Sequence, residues 1–342
     1  MEKLAIVILN WNGRLLLEEF LPTLTRYTPS WAKIIVADNA STDDSLLWLQ
    51  EKYPNVHIIS NDKNYGFAGG YNVALQQVES EYYCLLNSDI EVSEGWLDKI
   101  IDFMDKNQEI GICQPKIISY YQKEHFEYAG AAGGYIDKYG YPFCRGRIFN
   151  EIEIDQAQYN DICEIFWASG ACMFVRSKLY HQLGGLDATF FAHMEEIDFC
   201  WRAKRNGHQV VYYPYSTIYH VGGGTLPKKS SRKTYLNFRN NMLLLYKNLP
   251  QNELNKVFFI RFWLDILAAI FFFLSSGWGD FAAVFKARKD FKNIKSQYKN
   301  QRRISPPQKV GQIYQKSILW QYHVKGIKHF TGLSKNDFSI KY

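Results

Sequence analysis

Four short apolar runs constrain the fold of this chain most, because helix-like segments separate each run from the next. The first, Leu4 to Leu9, is unbroken, and the fourth, Tyr82 to Leu86, ends in the polar triplet Asn87-Ser88-Asp89. Strands that alternate with helices predict an α/β fold with a mostly parallel, doubly wound sheet. The predicted strands are 4–9, 33–37, 56–60 and 82–87, and the predicted helices are 14–26, 43–52 and 67–78.

The segment after the first strand argues against one common class of α/β enzyme. Asn10-Trp11-Asn12-Gly13 stands where a dinucleotide dehydrogenase carries Gly-x-Gly-x-x-Gly. Further along, the pattern predicts strands at 171–176 and 209–213, a helix at 194–206 and a loop at 216–224. Residues 119–165 show no clear order of elements, and an insertion of this kind often forms a substrate wall.

The cysteines and the N-terminus indicate a reducing compartment. Six cysteines are scattered along 342 residues without a Cys-x-x-Cys pair, so we expect structural thiols rather than disulfides or a zinc site. The apolar run from Leu4 to Leu9 is too short for a secretory signal. We therefore expect a cytoplasmic protein, held peripherally on the cytoplasmic face of the inner membrane.

Charge is divided unevenly along the chain. Residues 1–227 contain 18 Lys and Arg against 29 Asp and Glu, a net charge of −11, whereas residues 228–342 contain 22 against 5, a net charge of +17. Such asymmetry is typical of a nucleic-acid or anionic-membrane partner, although solvated helix faces also carry such charge. No recognisable nucleic-acid-binding motif accompanies the basic part, so we expect an anionic membrane surface and no nucleic acid.

Carboxylates recur where predicted strands end and where a predicted helix begins. Asp38 ends the second strand and Asp89 follows the fourth, while the later helix opens with Glu195, Glu196 and Asp198. Ligands of open α/β sheets bind outside the carboxyl ends of the strands, where a carboxylate and a substrate diphosphate can share a divalent cation. The simpler explanations are that Asn-Ser-Asp favours turns and that acidic residues favour a helix's first turn.

In this order the motifs resemble the inverting family 2 glycosyltransferases, and more narrowly their bacterial rhamnosyltransferase-like branch. The resemblance covers roughly residues 3–225 and implies the GT-A fold. The segments that carry it are 7–12, 36–43, 64–72, 85–89, 170–173, 195–202 and 220–225.

The resemblance implies which residues bind the donor. Asp38 is expected to accept a hydrogen bond from the imide N–H of the nucleobase. The glycine-rich start of the helix at 64–72 suits diphosphate or ribose contacts, with close packing of helix on sheet as the alternative. Asp43 nearby is interpreted as a helix cap. The other residues expected at the nucleotide sugar are Asn10, Asn39, Asn72, Asn87 and Ser88.

The same resemblance implies a divalent cation, Mg²⁺ or Mn²⁺. Residues 87–89 occupy the family's Asp-x-Asp position, with Asn87 in place of the first Asp. Asp89 is therefore expected to be the main metal contact, and His220 to approach the same ion. The ion would neutralise charge on the departing diphosphate.

Glu195-Glu196 occupies the position of the family's acidic pair, usually Glu-Asp, in which the second residue is the base. The resemblance therefore assigns catalysis to this pair, with Glu196 taking a proton from the acceptor hydroxyl as that oxygen attacks C1 of the sugar. A single displacement inverts C1, and the arrangement differs from a hydrolase pair that holds a water between its carboxyls. Arg202 is expected to pair with Asp198, with a phosphate as the alternative partner.

We expect two parts, a GT-A catalytic domain at 1–225 and a helical, basic, membrane-associated region at 226–342. Val257 to Trp278 is dense in aromatic residues, but Arg261 and Asp265 leave it short of the roughly 20 uninterrupted apolar residues of a spanning helix. Basic charge beside an aromatic stretch predicts binding at a membrane interface. The alternative is a buried helix that closes the core.

The expected reaction moves a sugar from a nucleotide-diphosphate sugar to a saccharide or a lipid-linked saccharide, in cell-surface polysaccharide assembly. Two alternatives stay open. A sugar-nucleotide pyrophosphorylase shares the fold class, but it requires a Gly-rich loop with Arg or Lys right after the first strand. Residues 10–14 do not supply such a loop. A non-catalytic assembly protein would tolerate the departures at Asn87 and Glu196.

Overall fold

The computed structural model describes residues 2–222, 230–304 and 308–339. Its strands are β1 (Glu2–Asn10), β2 (Ala32–Asp38), β3 (His57–Ser60), β4 (Ser80–Leu86), β5 (Ile90–Val92), β6 (Ile110–Ser119), β7 (Gly134–Asp137), β8 (Pro142–Cys144), β9 (Arg147–Ile148), β10 (Glu151–Ile152), β11 (Cys163–Glu164), β12 (Cys172–Arg176), β13 (Gln209–His220) and β14 (Ile313–Tyr314). Its α-helices are α1 (Arg14–Tyr27), α2 (Ser45–Lys52), α3 (Gly66–Leu75), α4 (Ile100–Lys106), α5 (Ser177–Gln182), α6 (Glu195–Arg205), α7 (Ser231–Asn248), α8 (Gln251–Ser276), α9 (Trp278–Ile294), α10 (Lys299–Ile304) and α11 (Ile318–His323).

The central sheet, which has nine strands within the described residues, confirms the predicted α/β fold. Its order is β11-β13-β6-β12-β4-β1-β2-β3, and β5 pairs with the C-terminal end of β13. The four strands from β3 to β4 are parallel, whereas β12 runs antiparallel between β4 and β6. Alternate residues of the strands fill two apolar cores, one on each face of the sheet. The apolar runs are continuous because both faces are covered.

The register of the parallel strands brings their polar ends together. Asn10 of β1 lies opposite Asp38 of β2, and Ile8 lies opposite Leu86 of β4. Because β4 stops at Leu86, residues 87–89 follow it at the same edge of the sheet. This edge is where ligands of open α/β sheets bind.

Strand β13 is longer than the sequence predicts, and residues 216–220 are strand rather than loop. Pro214 has no N–H to donate, which makes 213 a natural end for a predicted strand. The structure instead shifts register between Tyr213 and Thr217, and pairing with β6 then resumes as far as His220. Residues 223–224 of the predicted loop lie outside the described part of the chain.

Much of the insertion at 119–165 folds into a second, smaller sheet. Within the described residues this sheet has five strands, in the order β10-β9-β8-β7-β14. Strand β14 comes from the far end of the chain and pairs in parallel with β7. Asp137, at the end of β7, also accepts a hydrogen bond from the backbone N–H of Ile318 (2.9 Å). The C-terminal strand β14 therefore completes the second sheet, whose other strands belong to the insertion.

The C-terminal helices pack on one another and on the part of the chain before residue 223, where Lys247 of α7 contacts Asp198 of α6 (2.8 Å). Tyr235 of α7 donates to Asp290 of α9 (2.8 Å), and Phe258 of α8 stacks on Phe291 of α9. Helix α8 runs unbroken for 26 residues and is long and apolar enough, by length and composition, to cross a membrane. The predicted domain boundary at 225 falls among residues 223–229, which are not described, and it stays a prediction.

Candidate active site

Asn10 and Asp38 form a polar pair at the ends of β1 and β2. Nδ2 of Asn10 donates to Oδ1 of Asp38 (3.0 Å), and the backbone N–H of Ser41 donates to its Oδ2 (2.9 Å). Asp38 is buried, so a nucleobase N–H would have to reach an oxygen that already accepts one hydrogen bond. The amide oxygen of Asn10 is also buried and accepts no hydrogen bond from the described residues. It is a polar atom that a ligand could satisfy.

Two other side chains that are predicted to contact the nucleotide sugar already have hydrogen-bond partners within the protein. The amide of Asn39 donates to Asn64 (3.0 Å) and to the carbonyl oxygen of Gly66 (3.1 Å). The amide of Asn72 donates to the carbonyl oxygen of Leu186 (2.6 Å) and accepts from the N–H of the same residue (2.9 Å). Both side chains hold neighbouring loops in this structure, because their polar atoms already have protein partners. Their contacts with the nucleotide sugar stay a prediction.

The glycine-rich start of α3 lets the helix approach its neighbours closely. A Cβ on Gly70 would lie 2.8 Å from the side chain of Leu9, and a Cβ on Gly69 would lie 2.9 Å from Tyr65. The backbone N–H of Phe67 donates to the carbonyl oxygen of Phe191 (2.9 Å). Close packing, the alternative to diphosphate contacts, therefore accounts for these glycines.

Residues 87–89 bring three side chains to the edge of the sheet. Asn87 is fixed by its backbone N–H, which donates to the carbonyl oxygen of Ala171 (2.9 Å), and its amide lies 3.4 Å from Nε2 of His220. The Oγ of Ser88 lies beside the turn at Gly13, and a Cβ on Gly13 would lie 3.8 Å from it. Asp89 is buried, and its Oδ1 is 3.2 Å from Nε2 of His220.

His220 lies between two carboxylates. Its Nε2 faces Asp89, and its Nδ1 is 3.3 Å from Oε2 of Glu127, which belongs to the insertion. Burial alone would lower the pKa of His220, but the charge of Glu127 and the hydrogen bonds to both carboxylates raise it to about 10. Burial opposes ionisation of Asp89, yet the hydrogen bond and charge of His220 lower its pKa. Sequence reasoning missed Glu127, since no motif surrounds it.

The donor set at this point fits a divalent cation that is completed by substrate. Asp89 supplies a hard oxygen and His220 a ring nitrogen, and both face the edge where a diphosphate would lie. Among the described residues no group of three or more His, Cys, Asp or Glu side chains is arranged to hold an ion. An ion held by Asp89 and His220 would therefore need phosphate oxygens as further ligands, and its binding would release the proton of His220.

Glu195 and Glu196 begin α6 beside these strand ends. A Cβ on Gly170, the residue before Ala171, would lie 3.9 Å from the Cβ of Glu196. Burial raises the pKa of Glu196 to about 7. Burial and the neighbouring charge of Glu196 raise the pKa of Glu195 well above its ordinary value. Glu195 is buried and Glu196 is partly exposed, and the Oε2 atom of each is buried and has no hydrogen-bond partner among the described residues.

The loop before α6 has a strained backbone. Phe191, His193 and Met194 have φ values of 65°, 69° and 75°, a backbone region that residues other than Gly and Asn rarely adopt. The buried amide of Asn240 on α7 holds this loop, because its NH₂ group lies within hydrogen-bond distance of the carbonyl oxygens of Phe190 (2.9 Å), Ala192 (2.8 Å) and His193 (2.7 Å) and shares its two hydrogens among them. Strain supported in this way is typical of a functional site. The sequence gives no signal for Asn240.

Asp198 and Asp43 have structural partners, as expected. Oδ2 of Asp198 accepts from Arg202 (2.8 Å) and from Lys247 of α7 (2.8 Å), and these charges outweigh burial and lower its pKa to about 2. Asp43 accepts from the backbone N–H groups of Arg14 (3.1 Å) and Ser45 (3.1 Å), but the N-cap residue of α2 is Asp44, so the interpretation of Asp43 as the cap is wrong by one residue. Neither carboxylate is available for catalysis.

Comparison with known proteins gives a family match over the first half of the chain. The family described as Glycosyl transferase family 2 matches residues 5–184. A low-salt glycan biosynthesis hexosyltransferase, Agl10 of Haloferax volcanii, is 25% identical over 255 residues, which are 71% of this chain and 75% of that protein. An N-acetylglucosaminyl-diphospho-decaprenol L-rhamnosyltransferase of Mycobacterium tuberculosis is 25% identical over 232 residues, covering 64% of this chain and 75% of that protein.

Solved structures share the fold at low identity. GalNAc-T7, crystallised with UDP, GalNAc and Mn²⁺, superposes with a TM-score of 0.57 and 14% identity over 90% of this chain, which spans 58% of that structure. TarS residues 1–349 of S. aureus, in complex with UDP-GlcNAc, superposes with a TM-score of 0.54 and 16% identity. The match covers 84% of this chain and 80% of that structure. A mannosyltransferase of Pyrobaculum calidifontis, in complex with GDP-Man and Mn²⁺, superposes with a TM-score of 0.51 and 12% identity. The match covers 89% of this chain and 81% of that structure. The central sheet and its helices are the GT-A fold.

Proposed function

This chain belongs to glycosyl transferase family 2, and from that premise we propose that it moves a sugar from a nucleotide-diphosphate sugar to a hydroxyl of an acceptor saccharide, with inversion at C1. One observation carries the proposal. The partly exposed Glu196 stands beside Gly170, next to the strand end where Asp89 and His220 meet. A base and a diphosphate-binding edge are the two parts that a direct displacement needs.

In the proposed reaction Glu196 acts as general base. Its carboxylate accepts the proton of the acceptor hydroxyl while that oxygen forms a bond to C1 of the sugar. The bond from C1 to the diphosphate oxygen breaks at the same time, and its electron pair leaves with the nucleoside diphosphate. Burial raises the pKa of Glu196 to about 7, which suits a base that must be ionised and still take up a proton near neutral pH.

Asp89 and His220 are the residues that would hold a divalent cation, Mg²⁺ or Mn²⁺. When bound, the cation supplies positive charge that stabilises the departing diphosphate. Glu127 keeps the imidazole of His220 in place from the other side (3.3 Å). Asn10, Asp38, Asn87 and Ser88 line the same edge and are the side chains we propose for contacts with the nucleotide.

The acceptor and the cellular setting follow by analogy with the relatives. One relative is named for transfer of L-rhamnose to an N-acetylglucosaminyl-diphospho-decaprenol, and another for glycan biosynthesis. We infer a lipid-linked saccharide acceptor, a role in cell-surface polysaccharide assembly, and a peripheral position on the cytoplasmic face of the inner membrane. Rhamnose is one candidate for the transferred sugar.

A donor panel tests the proposal. Purified full-length protein is incubated with Mn²⁺ or Mg²⁺ and a series of nucleotide sugars, and the released nucleotide product is identified. We expect nucleoside diphosphate from one donor, faster with an acceptor saccharide and abolished by chelator or by Asp89→Ala. Release of pyrophosphate would indicate the pyrophosphorylase, and no turnover of any donor would indicate a non-catalytic protein. Activity that persists in chelator would overturn the assignment of Asp89 and His220.

A further inference from the structure

Helix α8 has two faces of opposite character. Residues three or four apart on one face are buried against the protein: Leu254, Val257, Arg261, Asp265 and Ala269. An equally regular stripe on another face is exposed and wholly apolar: Phe259, Trp263, Leu267, Phe271 and Leu274. A surface helix of a protein in water normally turns its polar side outward. Helix α8 does the reverse.

The charged residues in the middle of α8 are directed into the protein. Arg261 donates to the carbonyl oxygen of Tyr139 (2.8 Å) and pairs with Asp265 (3.2 Å), while Arg288 of α9 also pairs with Asp265. Arg261 and Asp265 are 3% and 0% exposed. Placing α8 across a bilayer by itself would carry these charges into hydrocarbon, which is costly. The helix is instead fixed by its polar side and shows its apolar side.

The apolar surface continues around the turn at Gly277 onto α9. The rings of Phe273, Trp278 and Phe281 are in contact, with centroids 5.0–6.0 Å apart. Phe285 extends the cluster, since its ring lies 4.9 Å from that of Phe281. We call the exposed stripe of α8 together with these four rings the apolar face. A contiguous exposed surface of this kind marks an interaction site, and exposed Trp is enriched where proteins meet membranes.

Lysines accompany the apolar face and indicate what covers it. Exposed lysines on α8, on α9 and after it are Lys256, Lys286, Lys289, Lys292, Lys295 and Lys299. Anionic lipid headgroups attract such residues. A second copy of the chain, related by a two-fold axis, would bring the same lysines towards one another. Charge therefore favours an anionic lipid surface over a homodimer.

The apolar face adjoins the N-terminal end of α7, which contacts the loop at 190–194 before α6. The ring of Phe272 on α8 lies 6.1 Å from that of Phe238 on α7, and a Cβ on Gly279 would lie 2.7 Å from Oγ of Ser231. The guanidinium of Arg232 lies 5.5 Å from the ring of Phe191, four residues before Glu195. A surface that rests on the apolar face is therefore close to the loop that carries the base.

We propose that the α8–α9 hairpin is a membrane-binding element, which lies in the plane of an anionic bilayer with its apolar face at the boundary of headgroups and acyl chains. The lysines contact the headgroups, and the buried pair Arg261–Asp265 keeps the hairpin attached to the catalytic part. The further consequence, that a lipid-linked acceptor meets the site beside the loop at 190–194, rests on the proposed function. Membrane binding itself is independent of the proposed sugar-transfer reaction.

Vesicle sedimentation of the full-length protein tests the proposal without donor or acceptor. The vesicles contain phosphatidylcholine with or without about 30% phosphatidylglycerol. We expect binding to the anionic vesicles at low salt and weaker binding at about 500 mM salt, where charges are screened. The triple variant Leu267→Ser/Phe271→Ser/Leu274→Ser should bind about tenfold less or weaker still, since it removes apolar area from the interface.

A double variant elsewhere serves as the matched control. Leu15 on α1 and Leu47 on α2 are 76% and 72% exposed, similar to Leu274 at 79%. Leu15→Ser/Leu47→Ser should bind vesicles as the wild type does, and both variants should keep the wild-type melting temperature and their transfer to a water-soluble acceptor.

Wild-type protein that stays in the supernatant at low salt, or a triple variant that binds normally, would overturn the proposal. Dimers in the wild type that become monomers in the triple variant, without vesicle binding, would assign the apolar face to a second copy. Wild-type protein that transfers sugar but does not bind vesicles would overturn the membrane proposal alone and leave the proposed transfer reaction standing.

Discussion

Glu195 and Glu196 are adjacent in sequence, but the fold gives them different surroundings. Glu195 is buried and Glu196 partly exposed beside Gly170. We expect Glu196→Gln to keep donor affinity and to lose transfer by about 10²–10⁴-fold, because the amide cannot accept the proton. The measurement is kcat of both glutamine variants together with donor affinity by calorimetry. An inactive Glu195→Gln beside an active Glu196→Gln would reverse the assignment within the pair.

The pH dependence of the reaction should report the same residue. Burial raises the pKa of Glu196 to about 7, and only its ionised form can act as base. The active fraction therefore grows as pH rises through the pKa, so kcat/KM should increase about tenfold per pH unit on the acid side and level off above about pH 8. Because Glu195 and Glu196 interact, the midpoint belongs to the pair. A flat profile between about pH 5 and 8 would contradict Glu196 as the base.

We propose that Glu127 is a positioning residue that acts through His220. Its carboxylate lies 3.3 Å from Nδ1 of the imidazole, on the side away from Asp89. Loss of such a partner typically weakens metal binding by about 10–100-fold, so Glu127→Gln should raise the Mn²⁺ concentration needed for half-maximal activity by that factor. Glu124→Gln, at an exposed carboxylate three residues away, is the control. An unchanged Mn²⁺ requirement in Glu127→Gln would leave Glu127 with no part in metal binding.

At the scale of elements, α7 supports the loop at 190–194, which precedes the proposed base. The amide NH₂ of Asn240 lies within hydrogen-bond distance of three carbonyl oxygens of residues 190–193, where the backbone is strained. We expect Asn240→Ala to lower kcat by about 100-fold, since a small displacement of a catalytic group has an effect of that size. The control is Asn237→Ala, three residues earlier on the same helix and partly exposed. Steady-state kinetics and thermal unfolding separate the two effects, and equal kcat in both variants would exclude this role for Asn240.

The elements that the sequence predicts well are those whose pattern is local. The runs at β1, β2 and β4 are apolar because both faces of the sheet are covered, so their residues alone show the strand. β13 is predicted only to residue 213, because its continuation past Pro214 depends on pairing with β6 and β5. The second sheet has no local signature, since β14 reaches β7 from the far end of the chain.

The candidate site divides in the same way. Asp38 ends a strand, Asp89 follows a strand and Glu196 lies in the first turn of a helix, so their position in the pattern is enough to predict where they lie. Asn39 and Asn72 match the same motifs, yet their amides are used by neighbouring loops. Glu127 and Asn240 come from segments without a motif and reach the site only through tertiary contacts. Residue type and order therefore predict the catalytic edge but not the side chains that support it.

Across the whole molecule, the C-terminal region is joined to the catalytic part at several places. Lys247 of α7 pairs with Asp198 inside the protein, Asn240 holds the loop before Glu195, and β14 completes the second sheet. The net charges of −11 for residues 1–227 and +17 for residues 228–342 then give the molecule an acidic and a basic part. An anionic surface would attract the basic part and leave the acidic part towards the soluble donor.

The stereochemistry of the product tests the central claim most directly. Once the donor panel has identified the sugar, proton NMR compares the anomeric configuration of the new glycosidic bond with that of the donor's bond to diphosphate. A single displacement, with Glu196 as base and the diphosphate leaving from the opposite face, predicts inversion, so that an α-linked donor gives a β-linked product. A product that retains the donor's configuration would contradict the account.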